Sequence, residues 1–410
     1  MAIWNRDNLR LFTILVHHSV GIEILPGDPK AWLPEGSDDK LFLYEERNLG
    51  IPHKVVYRAY LEAAHIFYSA RKAWPPSTDK ERGTLKSSSS ILLLANSAHQ
   101  TALNTRKRLI LSGYLNPTVE LGFTAALLSL HDGSKQSALW HHRRWLLRQS
   151  RKNCASNLGG DDDCLNGFGL SAHDYRSELS IASRACEVYP RNYFAWYHRY
   201  TCIRSLWFAI YRNRINSSQP NLVEILDEEC RWIISWINRH ISDYTAMQYA
   251  CQLSQLLQDT SSDCDAEPTR LPHSNHSNPE TLVNLNTFNF QTLRTHAQTL
   301  LRSYPEHESL WLYLRNTFHY PGTSIAERVE GGNIARGLIL FVRDLLNTAS
   351  KGSGQDKDTS LEDKYGTISL HAGRFLSWLA RQVSPPPSLV YVAIEMHGLW
   401  YVDANVLLAA

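Results

Sequence analysis

Trp196, Tyr200, Ile203, Trp207 and Ile210 recur at alternating spacings of four and three residues, which draws one continuous apolar stripe along a helix. A stripe that wide predicts a neighbouring hairpin to cover it. Val55 to Trp74 carries the first long pattern of the same period, and Pro75 and Pro76 end it. From Ser90 to Gln149 the pattern predicts two helical hairpins broken at Asn116 and Pro117, where proline suits the first turn of the next helix. No alternating strand pattern of useful length interrupts these segments, and short apolar runs such as Ile91 to Leu94 fit a buried helix at least as well. The expected fold class is all-α.

The helical segments repeat. In full or in part, Gln100 to Arg106, Lys135 to Arg144, Tyr189 to Arg199, Ser242 to Tyr249 and Pro305 to Arg315 carry an anchor followed three or four residues later by arginine. The anchors are Leu103, Trp140, Trp196, Met247 and Trp311. The shortest separation, Leu103 to Trp140, matches one hairpin, and the longer ones contain polar, turn-rich stretches that can be looped out. This predicts a solenoid of helical hairpins, although the W-x2-L-G-x2-Y signature of tetratricopeptide arrays is absent. A buried indole covers on the order of 200 Å² and anchors one hairpin on the next. An arginine on nearly the same face can bond carbonyls ending an adjacent helix or stack on a ring. Asn192 stands where a helix begins and is suited to cap it. Trp140, Arg143, Trp196, Arg199, Trp311 and Arg315 are accordingly assigned to inter-repeat packing.

The expected organisation is an N-terminal segment over 1–50 and a repeat domain over 51–349 with insertions near 152–171 and 259–286. A linker over 350–363, a terminal helix over 364–382 and a tail over 383–410 follow. With 410 residues and 43% hydrophobic content, the chain can bury a large core. A formal charge of +2 removes the broad electrostatic case for nucleic acid or an anionic membrane. Seven scattered cysteines without a C-x-x-C pair argue against a disulfide framework or structural zinc, and point to a reducing, cytoplasmic setting. The N-terminal apolar run is too short for a signal peptide, the C-terminal stretch is broken by Glu395, His397 and Asp403, and no Cys-a-a-X box is present. The pairs His17–His18 and His141–His142 do not suggest zinc, because neighbours on a helix point about 100° apart. No self-contained hydrolase, kinase or dehydrogenase motif occurs. The densest basic cluster, Arg143, Arg144, Arg148, Arg151 and Lys152, reads first as a solvated helix face, and otherwise as a contact for diphosphate, an acidic partner or RNA.

Asn192-Tyr193-Phe194-Ala195-Trp196-Tyr197-His198-Arg199 fits N-x-x-x-W-x-x-R at every fixed position and resembles the protein prenyltransferase alpha-subunit repeat. The segments LLLANSAHQTALNTRKRLILSGYLNP, LWHHRRWLL, YPRNYFAW and SYPEHESLW extend the resemblance to a divergent branch of that family, from about Gly21 to Gln382. The resemblance implies an alpha-alpha superhelix that wraps a separate beta subunit, the one shared with Rab geranylgeranyl transferase. That subunit carries the zinc and the isoprenoid pocket, so this chain itself binds no cofactor. It also implies that Lys135, five residues before Trp140, contacts an isoprenoid diphosphate, and that Asn192 and Tyr193 lie near the same surface. Arg191 offers a second cation there, and His142 and Arg144 join these residues as substrate- or partner-facing. Ser137, Phe194, Leu103, Met247 and Ala250 depart from the family pattern. The implied function is that of an alpha-like subunit supporting isoprenoid transfer to a cysteine near the C-terminus of an acceptor protein; the alternative is a non-catalytic helical-repeat scaffold.

Overall fold

A computed structural model describes residues 19–28, 31–32, 42–72, 74–151, 164–213, 220–258, 287–318, 325–353, 359–383, 393–396 and 399–402. The insertion expected near 259–286, most of that near 152–171 and parts of the 350–363 linker and 383–410 tail lie outside the described residues. Two compact units emerge, Met1–Ile225 and Leu226–Ala410.

The first unit opens with a small sheet that the sequence reading missed: β1 (Gly21–Leu25), β2 (Leu43–Glu45) and β3 (Asn48–Pro52) in the order β1-β3-β2. β1 runs parallel to β3 in the register Gly21 to Asn48 through Leu25 to Pro52, and β2 is antiparallel to β3. The turn joining β2 to β3 uses Glu46 and Arg47, both left-handed at φ 47° and 65°. Such two-residue turns normally announce themselves with Asn-Gly or Asp-Gly, which explains why the hairpin was invisible. Ile22, Leu49 and Ile51 are buried, and the Ile22 amide donates to Ser129 Oγ at 2.8 Å, fixing the sheet to the helices.

Helices follow in pairs: α1 (His53–Arg71), α2 (Asp79–Ala95), α3 (Gln100–Leu111), α4 (Pro117–Leu128), the single turn α5 (His131–Ser134), α6 (Ser137–Ser150), α7 (Ala172–Val188) and α8 (Tyr193–Asn213). Their starts are readable. Thr78 and Glu81 form a capping box on α2, Ser171 and Asp174 do so on α7, and Asn116 precedes Pro117 at the start of α4. The first helix begins two residues before Val55 and stops at Arg71, leaving Trp74 outside it.

The stripe on α8 is displaced from its predicted position. Trp196 and Ile203 are buried, whereas Tyr200, Trp207 and Ile210 are only half-buried. The covered face also carries His198, Arg199, Thr201 and Ser205, polar residues that hydropathy assigns to solvent. Hydrogen bonding inside the core reverses that assignment.

In the second unit α9 (Pro220–Arg239, which begins in the first), α10 (Tyr244–Gln258), α11 (Phe290–Ser303), α12 (Glu308–Asn316), α13 (Ile325–Ser353) and α14 (Thr359–Val383) continue the all-α class. The expected linker over 350–363 is helical at both ends, since α13 reaches Ser353 and α14 starts at Thr359, ahead of the expected 364–382. In the tail, β4 (Ala393–Met396) pairs antiparallel with β5 (Leu399–Val402). Among the described residues no helix is long and apolar enough to cross a membrane.

Candidate functional site

The repeated arginines build a buried polar spine through the first unit. Arg106 on α3 donates through Nη1 to the Lys86 carbonyl and to the Ser89 and Ser90 hydroxyls of α2. Its Nε and Nη2 grip Glu120 of α4, each at 2.5 Å. Arg143 on α6 repeats this one hairpin on: Nη1 reaches the Leu121 carbonyl and Thr124 Oγ1 of α4, while Nε and Nη2 hold Glu178 of α7 at 2.6 and 2.7 Å. Arg199 on α8 donates to the Leu179 carbonyl and Ser183 Oγ of α7, both at 2.8 Å. Each guanidinium thus bonds a carbonyl inside the partner helix of its own hairpin, together with a hydroxyl that back-bonds the same carbonyl. The sequence reading placed these bonds at helix ends.

The carboxylates close the link between hairpins. Glu178 also receives His198 Nε2 at 3.0 Å, and His142 Nε2 lies 3.6 Å from Glu120. Tyr249 substitutes for histidine in the second unit, donating to Glu229 at 2.6 Å. Burial would raise the Glu178 carboxyl, but the Arg143 charge and the hydrogen bonds of His198 and Arg143 hold it at about 2. Glu120 lies well below the usual carboxylate range; burial opposes this, and the Arg106 charge and hydrogen bond overcome it. Desolvation pushes both buried imidazoles, His142 and His198, below their ordinary value despite these carboxylates. Glu120, Glu178 and the hydroxyls were not among the predicted residues. The available signal was an acid recurring on the first helix of successive hairpins and a His-Arg pair, His142–Arg143 and His198–Arg199, on the second.

The three repeat tryptophans are buried. Trp140 is fully buried, its Nε1 donates to the Ser134 carbonyl at 2.7 Å, and its ring meets His198 at 5.0 Å. Trp196 and Trp311 are buried, the latter donating to the Pro305 carbonyl at 2.8 Å. Leu103 and Met247 fill the same role as apolar anchors. Asn192 does more than cap: Oδ1 accepts from the Ala195 amide while Nδ2 donates to the Ser134 carbonyl that Trp140 also uses. The Asn of one repeat is therefore tied to the Trp of the previous one through a shared acceptor. Arg315 departs from the set; four residues after its anchor rather than three, it is exposed and lies over the Trp378 ring at 4.7 Å.

Among the described residues of the first unit, two clefts take in residues singled out above. The larger, about 1270 Å³, lies among the sheet, α1 and the α5 turn, and Lys135 lines it. Glu23, Glu45 and Asp132 share that lining, and Asp132 holds Lys135 Nζ at 2.6 Å. The smaller, about 420 Å³, lies between the starts of α6 and α8, and brings His142, Arg144 and Tyr193 together with Lys107, Phe194 and Tyr197. Tyr193 is 60% exposed and stacks on Tyr197, and the Arg144 guanidinium lies 5.1 Å from the same ring. Arg191, left-handed at φ 60° in the turn before α8, lines neither cleft, and buried Asn192 is used up in the scaffold. Of the residues grouped by sequence, three therefore converge and Lys135 faces elsewhere. Among the described residues no group of three or more His, Cys, Asp or Glu is placed to hold a metal ion.

The protein prenyltransferase alpha subunit repeat matches residues 175–206, which is the hairpin of α7 and α8. Protein prenyltransferase alpha subunit repeat-containing protein 1 of Danio rerio is 26% identical over 330 residues, covering 76% of this chain and 72% of its own length. Protein 1-B of Xenopus laevis is 28% identical over 335 residues, covering 78% and 68%. The Homo sapiens protein 1 is 28% identical over 280 residues, covering 63% of each chain. The hairpin that matches is the one in which the Asn, Trp and Arg of the sequence pattern all serve the joint between repeats, and over it the chain is similar to the prenyltransferase alpha subunit repeat.

Proposed function

We propose that this chain is the alpha-like subunit of a heterodimeric protein geranylgeranyltransferase, active only with a beta subunit, the one shared with Rab geranylgeranyl transferase. In the complex, the sulfur of an acceptor cysteine attacks C1 of the isoprenoid diphosphate. A C–S bond forms, the C–O bond to the leaving diphosphate breaks with its electron pair, and the thiol proton passes to solvent. The beta subunit supplies the zinc that activates the thiol. This chain supplies a rigid wall and positive charge near the departing anion, where preorganised cations act most strongly.

One observation carries the reading: at the starts of two successive repeats, α6 and α8, exposed Tyr193 shares one cleft with two cations, Arg144 further along α6 and Lys107 on α3. These helix starts are where the family resemblance directs substrate and partner. Co-expression with candidate beta subunits, co-purification, and transfer of labelled geranylgeranyl groups to protein acceptors test it. A stable heterodimer with transfer is expected; failure to pair with any beta subunit refutes it. The ion pair between Lys135 and Asp132 favours the non-catalytic scaffold as second reading, for which the same assay gives a complex without transfer.

A further inference from the structure

Helix α1 is apolar on two sides. Val55, Val56, Ala59, Ala63 and Phe67 are buried and hold it against α2 and the sheet. Tyr57, Leu61, Ala64 and Tyr68, at spacings of four, three and four, lie on the other side. Tyr57, Leu61 and Tyr68 are 58%, 51% and 48% exposed, and Ala64 is half-buried. An apolar patch left open on a folded unit marks an interaction surface. At roughly 100° per residue the four positions fall within about 60° of the helix circumference, narrower than a core-facing stripe and matched to the seam between two paired helices. Tyr68 is fixed in advance: its hydroxyl lies 3.4 Å from His99 Nε2 at the start of α3, and its ring meets Phe67 edge-on at 5.5 Å. Charge beside the seam has one sign. Arg58 and Lys72 stand on one margin and Arg71 on the other, all three exposed and, among the described residues, in no ion pair. Lys54, on the first margin, is held by Asp28 at 3.1 Å. Glu62, the one acid of α1, lies beyond Arg58 and further from the seam.

We propose that the outer face of α1 docks an amphipathic helix of a second protein, apolar along its own seam and flanked by glutamate or aspartate. Charge selects this occupant. A second copy of the chain would set Arg58, Lys72 and Arg71 against their equals in either direction, which costs stability wherever like charges face. Residues 1–18 carry Arg6 and Arg10 against the one acid Asp7, so they lack the complement. A membrane-lying helix needs a broad apolar face, and α1 offers one large aliphatic side chain between two phenols. None of these residues lines the cleft between α6 and α8, and docking here does not depend on the function given above.

Fluorescence anisotropy of two labelled helical peptides with the full chain tests this. Each peptide has about three heptads with leucine along the seam, one flanked by glutamate and the other by lysine. The glutamate-flanked peptide is expected to bind at least about tenfold more tightly than the lysine-flanked one, and to weaken as salt rises. Leu61→Glu, at an exposed position, is expected to keep Tm and to weaken that binding roughly tenfold or more. Arg58→Glu combined with Lys72→Glu is expected to invert the preference between the two peptides. Docking is refuted if the glutamate-flanked peptide fails to bind at about 100 μM chain, if Leu61→Glu binds it as the natural chain does, or if charge reversal leaves the preference unchanged. Dimerisation in sedimentation, or adhesion to phosphatidylserine vesicles, that Leu61→Glu abolishes would assign the face to a second copy or to a membrane and overturn it too. Pairing with a beta subunit is expected unchanged in Leu61→Glu, and its loss would give the face to that subunit instead.

Discussion

Removing the Arg143 side chain strands a charge. Arg143 and Glu178 are both nearly inaccessible, and the arginine makes four hydrogen bonds, two of them to that carboxylate. Arg143→Ala leaves Glu178 buried beside His198, and takes the arginine donor from the Leu121 carbonyl and the Thr124 hydroxyl. Breaking a buried pair from one side costs about 3–5 kcal/mol, whereas neutralising both sides is far milder. For a unit of this size that is a fall in Tm on the order of 10 °C. Arg143→Met combined with Glu178→Gln removes both charges and keeps a partner for His198, so the double variant is expected within about 2 kcal/mol of the natural chain and less costly than the sum of Arg143→Met and Glu178→Gln made singly.

The chain comprises two compact units, so a global melt is not one transition. Hydrogen exchange read by mass spectrometry over α6 and α7, beside a urea titration, isolates the region concerned. Single variants that each cost under about 1 kcal/mol, or that add without coupling, refute the buried spine.

The same network predicts acid sensitivity. Glu178 titrates at about 2 when folded against an ordinary 4.5, so its contribution, about 3 kcal/mol, is present above pH 4.5 and is lost as pH falls toward 2. His142 and His198 titrate below their ordinary 6.5, so the unfolded chain binds those protons first and stability begins to fall below about pH 6.5. Urea midpoints taken from pH 7.5 to 3 check both, and a midpoint independent of pH in that range contradicts the assignment. Asn192→Ala is expected to cost about 2 kcal/mol, more than an ordinary cap, because the Ser134 carbonyl loses a donor as well; Asn192→Asp restores the cap but not that donor, so it recovers only part on denaturant titration. Trp196→Ala is expected to cost roughly 3–5 kcal/mol by calorimetry, and a negligible change removes its role as an anchor.

Much of the scaffold was legible because it is written in apolar period and in caps. Trp140, Trp196 and Trp311 are buried where the repeat put them, and Asn116, Ser171 and Asn192 cap the helices they precede. What escaped was polar. Glu120, Glu178 and His198 look like surface residues to any hydropathy measure, and their burial depends on charged partners fourteen and more residues away. The N-terminal sheet escaped because Glu46 and Arg47 make its turn without glycine or asparagine. Lys135 kept its sequence distance from Trp140, yet a local contact with Asp132 at the α5 turn fixed its direction.

Burial divides the family pattern from whatever the chain binds. Asn192, Trp196 and Arg199 identify the repeat, and all three are inaccessible in the folded unit, so none can touch a ligand or partner without local unfolding. Each is committed to neighbours inside the array: Asn192 to Ser134, Arg199 to Leu179 and Ser183. The positions between them are different. Tyr193 and Tyr197 lie one and five residues after Asn192, on the side of α8 that the core does not claim, and both are exposed. A repeat can therefore lose its anchor identity, as at Leu103 and Met247, and still pack, because any apolar side chain of sufficient size fills the inner face. It cannot exchange Tyr193, Tyr197 or Lys107 without changing what the cleft presents. The specificity proposed for this cleft thus rests on residues the repeat pattern leaves unspecified.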